Sequence, residues 1–102
     1  MYSLRNENEQ APDGFTWHSD PGHAWLEVSY LEHPDALTCA TGWGYVDMSR
    51  GLIYLEEDSE APRFFALHPA AVNNFRVIRY YSSDAPLRGL ARNLEHVGQV
   101  TA

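Results

Sequence analysis

Apolar and polar residues alternate along residues 23–31, a pattern typical of a β-strand with one buried face. The two faces of this run differ in character: Leu26, Val28 and Tyr30 lie on one, and Trp25, Glu27, Ser29 and Leu31 on the other. Apolar runs at 41–47, 52–56 and 75–81 predict three more strands, and the first two of these form a hairpin. The last run has Arg on both faces, which favours an edge position or a solvent-exposed face.

The sharpest change of character lies at residues 53–62, where an apolar run ends in four acids and a helix-start signal follows. Asp58 or Ser59 can cap a helix that takes Pro62 in its first turn. Pro69 should kink this helix or split it after residue 67.

Two further segments have helical character. Residues 35–40 predict a short helical turn, and apolar positions 87, 90, 91, 94 and 97 have helical spacing, although Gly89 weakens that pattern. The predicted fold class is α+β, with a small antiparallel sheet of three to four strands and one or two helices packed on one face. We expect a flexible N-terminal arm at 1–15 and a single α+β domain at 16–102.

Charge is distributed unevenly along the chain. The net charge is -7, and all seven basic residues are Arg. Residues 1–62 carry twelve acids against two Arg, whereas residues 63–102 carry five Arg against two acids. Such a field opposes direct binding of nucleic acid and favours a basic protein partner. The simpler alternative is that the acids only keep the protein soluble.

Two features bear on the compartment. No apolar run approaches the ~20 residues of a membrane span, and the first ten residues contain no apolar secretory segment. The single Cys39 has no partner for an internal disulfide. These observations predict a cytoplasmic protein with no membrane partner.

His18, Asp20 and His23 lie within six residues and include two imidazoles and a carboxylate, which suit zinc or iron. A loop that turned all three onto one ion would make a metal-binding module or a metal-dependent enzyme. The alternative is that Asp20 stabilises the turn at 20–22 through its side chain and that the two His lie near the surface. We favour the alternative, and we expect neither a metal nor another cofactor.

Three other groups have a possible chemical role. The carboxylates at 56–58 suit acid–base catalysis or magnesium, but the chain has no Lys, and a capped helix start with solvated charge explains them. Cys39 suits a nucleophile, but its apolar neighbours favour a core position. A third group suits stacking and phosphate binding, or else an Arg-rich edge paired with the domain's own acids. Its members are Arg76, Arg79, Arg88, Arg92, Tyr80 and Tyr81. We predict no catalytic residue.

Three stretches, in the same order, resemble a family of small proteins encoded by phages, plasmids and integrated elements of proteobacteria. Residues 17–28 are similar to the family's Asp-Pro-Gly-His-Gly-Trp-Leu-x-Val opening, and residues 53–64 to its Tyr-Leu-Glu-Glu-Asp-x-Asp-Ala segment. Residues 79–88 match a strand followed by Ser-Pro-Ile-Arg more loosely. The chain departs from the pattern at Ala24, at the Gly-Trp-Gly-Tyr run of 42–45, and at Pro69.

The resemblance implies an accessory gene of a mobile element and carries no catalytic residue. Small acidic proteins in that setting are often inhibitors of host defence, including anti-CRISPR proteins. We therefore expect a non-enzymatic inhibitor in the bacterial cytoplasm that binds a basic, nucleic-acid-handling protein, with a CRISPR–Cas effector as the leading target. A homodimer paired through 75–81 is a further alternative. The acids expected to bind the partner are Glu56, Glu57, Asp58 and Glu60, followed by Glu27, Glu32, Asp35 and Asp47.

Overall fold

The computed structural model describes residues 15–82 and 85–94, and their centre is one six-stranded sheet. The strands are β1 Thr16–Ser19, β2 Ala24–Ser29, β3 Tyr45–Asp47, β4 Leu52–Glu56, β5 Arg76–Arg79 and β6 Ala91–Arg92. Their spatial order is β5-β1-β2-β4-β3-β6. The α+β class is confirmed, but the sheet has more strands than the three to four expected.

The two additional strands, β1 and β6, lie near the two sequence ends of the described chain. β1 pairs with β2 in antiparallel fashion and with β5 in parallel fashion, so the sheet is mixed and not purely antiparallel. The prediction that β5 is an edge strand is confirmed. The predicted hairpin of β3 and β4 is also confirmed. The predicted arm lies outside the described residues except for Phe15, which is buried in the core.

One face of the sheet carries the main hydrophobic core. Helix α1 (Ala61–Leu67) and the 3₁₀ turns Pro34–Cys39 and Pro69–Asn73 pack on this face. Phe64 of α1 and Phe75 before β5 are fully buried there, together with the predicted inward residues of β2. Each such side chain contributes about 1.5–3 kcal/mol of burial free energy.

The helical predictions were partly right. α1 ends at Leu67 and a 3₁₀ turn begins at Pro69, so the predicted split is confirmed. The predicted cap is wrong, because Glu60 occupies the N-cap and its side chain makes no capping bond. In the described part of the chain, no helix combines the length and apolar character needed to cross a bilayer.

The second face of the sheet is covered by residues 85–90. Ala85 and Leu87 pack there against Trp25, Tyr45 and Tyr54. The spacing of apolar residues left the tail open between a helix and an irregular path, and the structure has the 3₁₀ turn Pro86–Gly89 followed by strand β6. No continuous helix runs through residues 87–92, and Leu94 is exposed; residues 95–97 lie outside the described chain.

Candidate partner-binding site

Glu60 is fully buried at the start of α1, and both of its carboxylate oxygens accept hydrogen bonds. Oε1 accepts from the backbone N–H of Glu56 at 2.9 Å and from Nδ2 of Asn93 at 2.9 Å. Oε2 accepts from the backbone N–H and the hydroxyl of Thr41, at 2.7 and 2.8 Å. Four donors therefore replace the water that a buried carboxylate loses.

This buried network fixes the loop at 41–44. Gly42 donates its N–H to Oδ1 of Asn93 at 3.0 Å, and the N–H of Asn93 bonds to the carbonyl of Gly44 at 3.0 Å. A Cβ atom at Gly44 would collide with the carbonyl of Tyr54 and the carboxylate of Glu60, so only glycine fits. The loop therefore has one well-determined path.

The 41–44 loop presents Trp43, which is 65% exposed and stands among the large apolar side chains left in solvent. Its carbonyl accepts a hydrogen bond of 2.7 Å from Nη1 of Arg92. The indole is thus an exposed ring on a backbone anchored by buried polar groups. Such a ring loses little conformational entropy when a partner covers it.

Next to this loop lies the turn at 56–59, which the Glu56 carboxylate holds together. Its Oε1 accepts from the N–H groups of Asp58 and Ser59 and from the Ser59 hydroxyl, at 3.1, 3.0 and 2.8 Å. The N–H of Glu57 donates to the carbonyl of Ala24 at 3.0 Å. Burial raises the pKa of Glu57, and the carboxylates of Asp58 and Glu56 add to that rise. The turn therefore concentrates negative charge that repels itself.

Trp43 and this turn border one cleft of about 360 Å³, which we call the aromatic cleft. Its lining residues are His23, Trp25, Trp43, Tyr45, Glu56, Ser59, Arg88 and Arg92. The guanidinium of Arg88 lies 5.0 Å from the Trp25 ring centre, and that of Arg92 lies 4.6 Å from the Tyr45 ring centre. Aromatic faces and planar cations thus form its walls.

Arg88 is held by a bidentate ion pair with Asp20. Its Nε and Nη2 donate to the two carboxylate oxygens at 2.8 and 2.9 Å. These hydrogen bonds lower the pKa of Asp20 to about 2, against the opposing effect of burial. Asp20 also accepts from the N–H groups of Gly22 and His23, so the predicted turn-stabilising role is what the structure contains.

The eight acids expected to bind a partner do not form one surface. The prediction that Glu60 contacts a partner is wrong, because Glu60 is buried and its carboxylate accepts hydrogen bonds from four donors inside the protein. Three more acids have internal cationic or imidazole partners: Glu27 with His18, Asp35 with His68, and Asp47 with Arg50. Glu32 and Asp58 are exposed, and Glu57 is half-buried.

The proposed metal ligands are not brought together as a set. His18 lies on β1, where Nε2 bonds to Glu27 at 2.8 Å and Nδ1 to the Tyr80 hydroxyl at 2.9 Å. Asp20 is occupied by Arg88, and the His23 ring lies 5.9 Å from that of Trp25. Within residues 15–82 and 85–94, no group of three His, Cys, Asp or Glu side chains could hold a metal ion.

Cys39 and the Arg- and Tyr-rich group do not form a common site either. Cys39 is buried, and burial raises the pKa of its thiol, which disfavours a nucleophilic thiolate. Arg88 and Arg92 line the aromatic cleft, whereas Arg76 and Tyr80 line a different one. The four Arg therefore do not make one continuous strip.

Sequence reasoning missed the Glu60–Thr41–Asn93 network and the Glu27–His18–Tyr80 chain of hydrogen bonds. Their members lie up to 62 residues apart, and no local pattern connects them. The fold and the aromatic cleft together define a small α+β protein with a cleft lined by aromatic and charged side chains. Comparison with protein-family models, with curated proteins and with solved structures gives no match.

Proposed function

We propose that this protein is a non-enzymatic inhibitor of a bacterial defence system that binds a basic surface of a CRISPR–Cas effector. The observation that carries the proposal is the pairing of an acidic turn with an exposed indole on the same rigid cleft. We call this surface the acidic rim and define it by Trp43, Glu56, Glu57 and Asp58. The mobile-element setting implied by the resemblance supplies the class of target.

The charge state of the turn favours a cationic partner. Burial raises the pKa of Glu57, and repulsion from the neighbouring carboxylates of Asp58 and Glu56 raises it further. A Lys or Arg side chain placed between them reverses this repulsion and recovers free energy. A cationic side chain of the partner can also pack on the exposed ring of Trp43. These are the groups with which nucleic-acid-handling proteins hold phosphates, so the inhibitor would occupy a phosphate-binding surface.

The arrangement of the rim favours a specific complex. The turn is fixed by the Glu56 carboxylate, and the loop of Trp43 is fixed by Glu60 and Asn93. Both are ordered before binding, which lowers the entropic cost of association. Trp residues also dominate the binding energy of many protein interfaces.

The test is binding to a panel of purified Cas effector complexes, measured together with their retention of target DNA. The expected result is a complex that excludes DNA and weakens steeply between about 50 and 300 mM salt. Trp43→Ala should weaken binding by about 2 kcal/mol, or roughly 30-fold. Neutralising the turn by Glu57→Gln with Asp58→Asn should weaken binding and flatten its salt dependence.

Glu32→Gln is the matched control, because Glu32 is an exposed acid outside the cleft. It should leave affinity within about twofold. Binding to no Cas effector would refute the proposed target. Equal affinity of the wild type and the rim variants, or an affinity independent of salt, would refute the acidic rim as the binding surface.

A further inference from the structure

A second cleft of about 390 Å³ opens beside the 85–90 segment, and we call it the arginine cleft. Pro86, Leu87 and Leu90 line this cleft, whereas Arg88 from the same segment lines the aromatic cleft. Its other lining residues come from the second face of the sheet and from the turn before β4. They are His18, Glu27, Arg50, Tyr54, Arg76, Ile78 and Tyr80.

Arg76 brings an unsatisfied hydrogen-bond donor to this cleft. Its Nε is buried and has no hydrogen-bond partner. In the described part of the chain, the guanidinium also forms no ion pair with a carboxylate. A buried donor on a charged group that lacks an acceptor costs free energy, and native proteins rarely keep one without a reason. An oxygen acceptor supplied from outside the chain would satisfy it.

A second donor is available from Tyr54. Nη2 of Arg50 donates to the Tyr54 hydroxyl oxygen at 3.1 Å, so the hydroxyl hydrogen itself is not used in that bond. Burial and the Glu27 carboxylate raise the pKa of Tyr54 to about 12, so the phenol keeps its proton at neutral pH. Tyr54 can therefore donate into the cleft that contains Arg76.

The charges around the cleft select the kind of acceptor. Arg50 is paired with Asp47 at 2.8 Å, and Glu27 is hydrogen-bonded to His18 at 2.8 Å. Arg76 thus supplies the positive charge that the described residues leave without an ion-pair partner. One guanidinium matches the planar fork and the single negative charge of a carboxylate, whereas the second charge of a phosphate dianion would add to the repulsion from the Glu27 carboxylate.

Ile78, Leu87 and Leu90 supply an apolar wall of the cleft, and the hydroxyl of Tyr80, which also lines it, is bonded to His18. We propose that the arginine cleft binds a small carboxylic acid. Its carboxylate accepts from Arg76 and Tyr54, and its apolar body packs against Ile78, Leu87 and Leu90. This site is separate from the acidic rim and does not depend on the proposed inhibitor function.

The test is an NMR titration of the ¹⁵N-labelled full chain with benzoate and with hexanoate. At least one of the two should give saturable shifts at residues 76–80 and 87–90. Benzamide, which lacks the charge, and inorganic phosphate, which lacks the apolar body, should bind at least tenfold more weakly. Absence of saturable shifts with both acids, or equal binding of benzamide or phosphate, would overturn the proposal.

Two variants assign the binding to Arg76. Arg76→Gln should weaken binding at least tenfold, and Tyr54→Phe should weaken it severalfold while the guanidinium remains. Arg79→Gln, an exposed position on the same strand, is the control and should leave affinity unchanged. Removing an unpaired donor should not unfold the protein, and the dispersion of the Arg76→Gln spectrum verifies this. Unchanged affinity in Arg76→Gln would overturn the proposal.

Discussion

The isosteric substitution Glu60→Gln tests whether the buried carboxylate organises the fold around it. All four partners of Glu60 are groups that donate in the native arrangement. A carboxamide has one acceptor oxygen, and its NH₂ group must face either Glu56 N–H with Asn93 Nδ2 or the two donors of Thr41. In both orientations a backbone N–H is left facing another donor.

The magnitude follows from these contacts. A hydrogen bond to a charged group contributes about 1.5–3 kcal/mol, and an unsatisfied buried donor costs about 1–3 kcal/mol. Loss of the buried charge recovers part of its desolvation cost. We therefore expect Glu60→Gln to lower the free energy of unfolding by about 2–3 kcal/mol, a large share of the roughly 5–15 kcal/mol typical of such a domain.

Urea unfolding followed by tryptophan fluorescence measures this loss. The midpoint should fall by about 1 M or more, given a typical slope of about 1–3 kcal/mol per M. Thr41→Val, which removes only the hydroxyl donor, should cost about 1.5 kcal/mol. Glu57→Gln makes the same chemical change at a half-buried site and should stay within about 0.5 kcal/mol of wild type. A Glu60→Gln midpoint equal to that of Glu57→Gln would refute the reasoning.

Three further results are expected. The pKa of Asp20 is lowered to about 2 in the fold, chiefly by its pairing with Arg88, so the ionised carboxylate should stabilise the protein by about 2 kcal/mol above pH ~4. This stabilisation should disappear as the pH falls towards 2. In Asp20→Asn, the free energy of unfolding should change less with pH over the same window. Gly44→Ala should lower the unfolding midpoint severely or prevent folding, whereas Gly89→Ala, where a Cβ meets nothing within 4 Å, should leave it nearly unchanged. Cys39 should react with a disulfide reagent only as fast as the protein unfolds, and rapid labelling of the native thiol would contradict its burial.

Local periodicity predicted β2 well, because alternation fixes which side chains share a face. It assigned Leu26 and Val28 to the core correctly but left Trp25 on a half-solvated face, although this residue is buried. The cover over Trp25 comes from residues 85–90, some 60 positions along the chain. Periodicity says nothing about what covers a face.

The acids at 56–60 also show that the local sequence does not reveal contacts made by residues far away in the chain. Four carboxylates in five residues resemble a single charged surface. Glu60 is separated from the others by its donors Thr41 and Asn93, which lie 19 and 33 residues away. The metal hypothesis placed His18 in a loop with Asp20 and His23, and its alternative placed both His near the surface. Pairing with β2 and β5 instead buries His18 in a strand.

If the acidic rim contacts a basic partner, as we propose, hydrogen exchange of the complex will locate that contact. Amide exchange of the protein would be compared with and without a bound Cas effector. We expect new protection concentrated at residues 42–45 and 56–59, and loss of that protection in Trp43→Ala at equal protein concentrations. Protection confined to other parts of the chain, such as β5, with no change at 42–45 or 56–59, would contradict it.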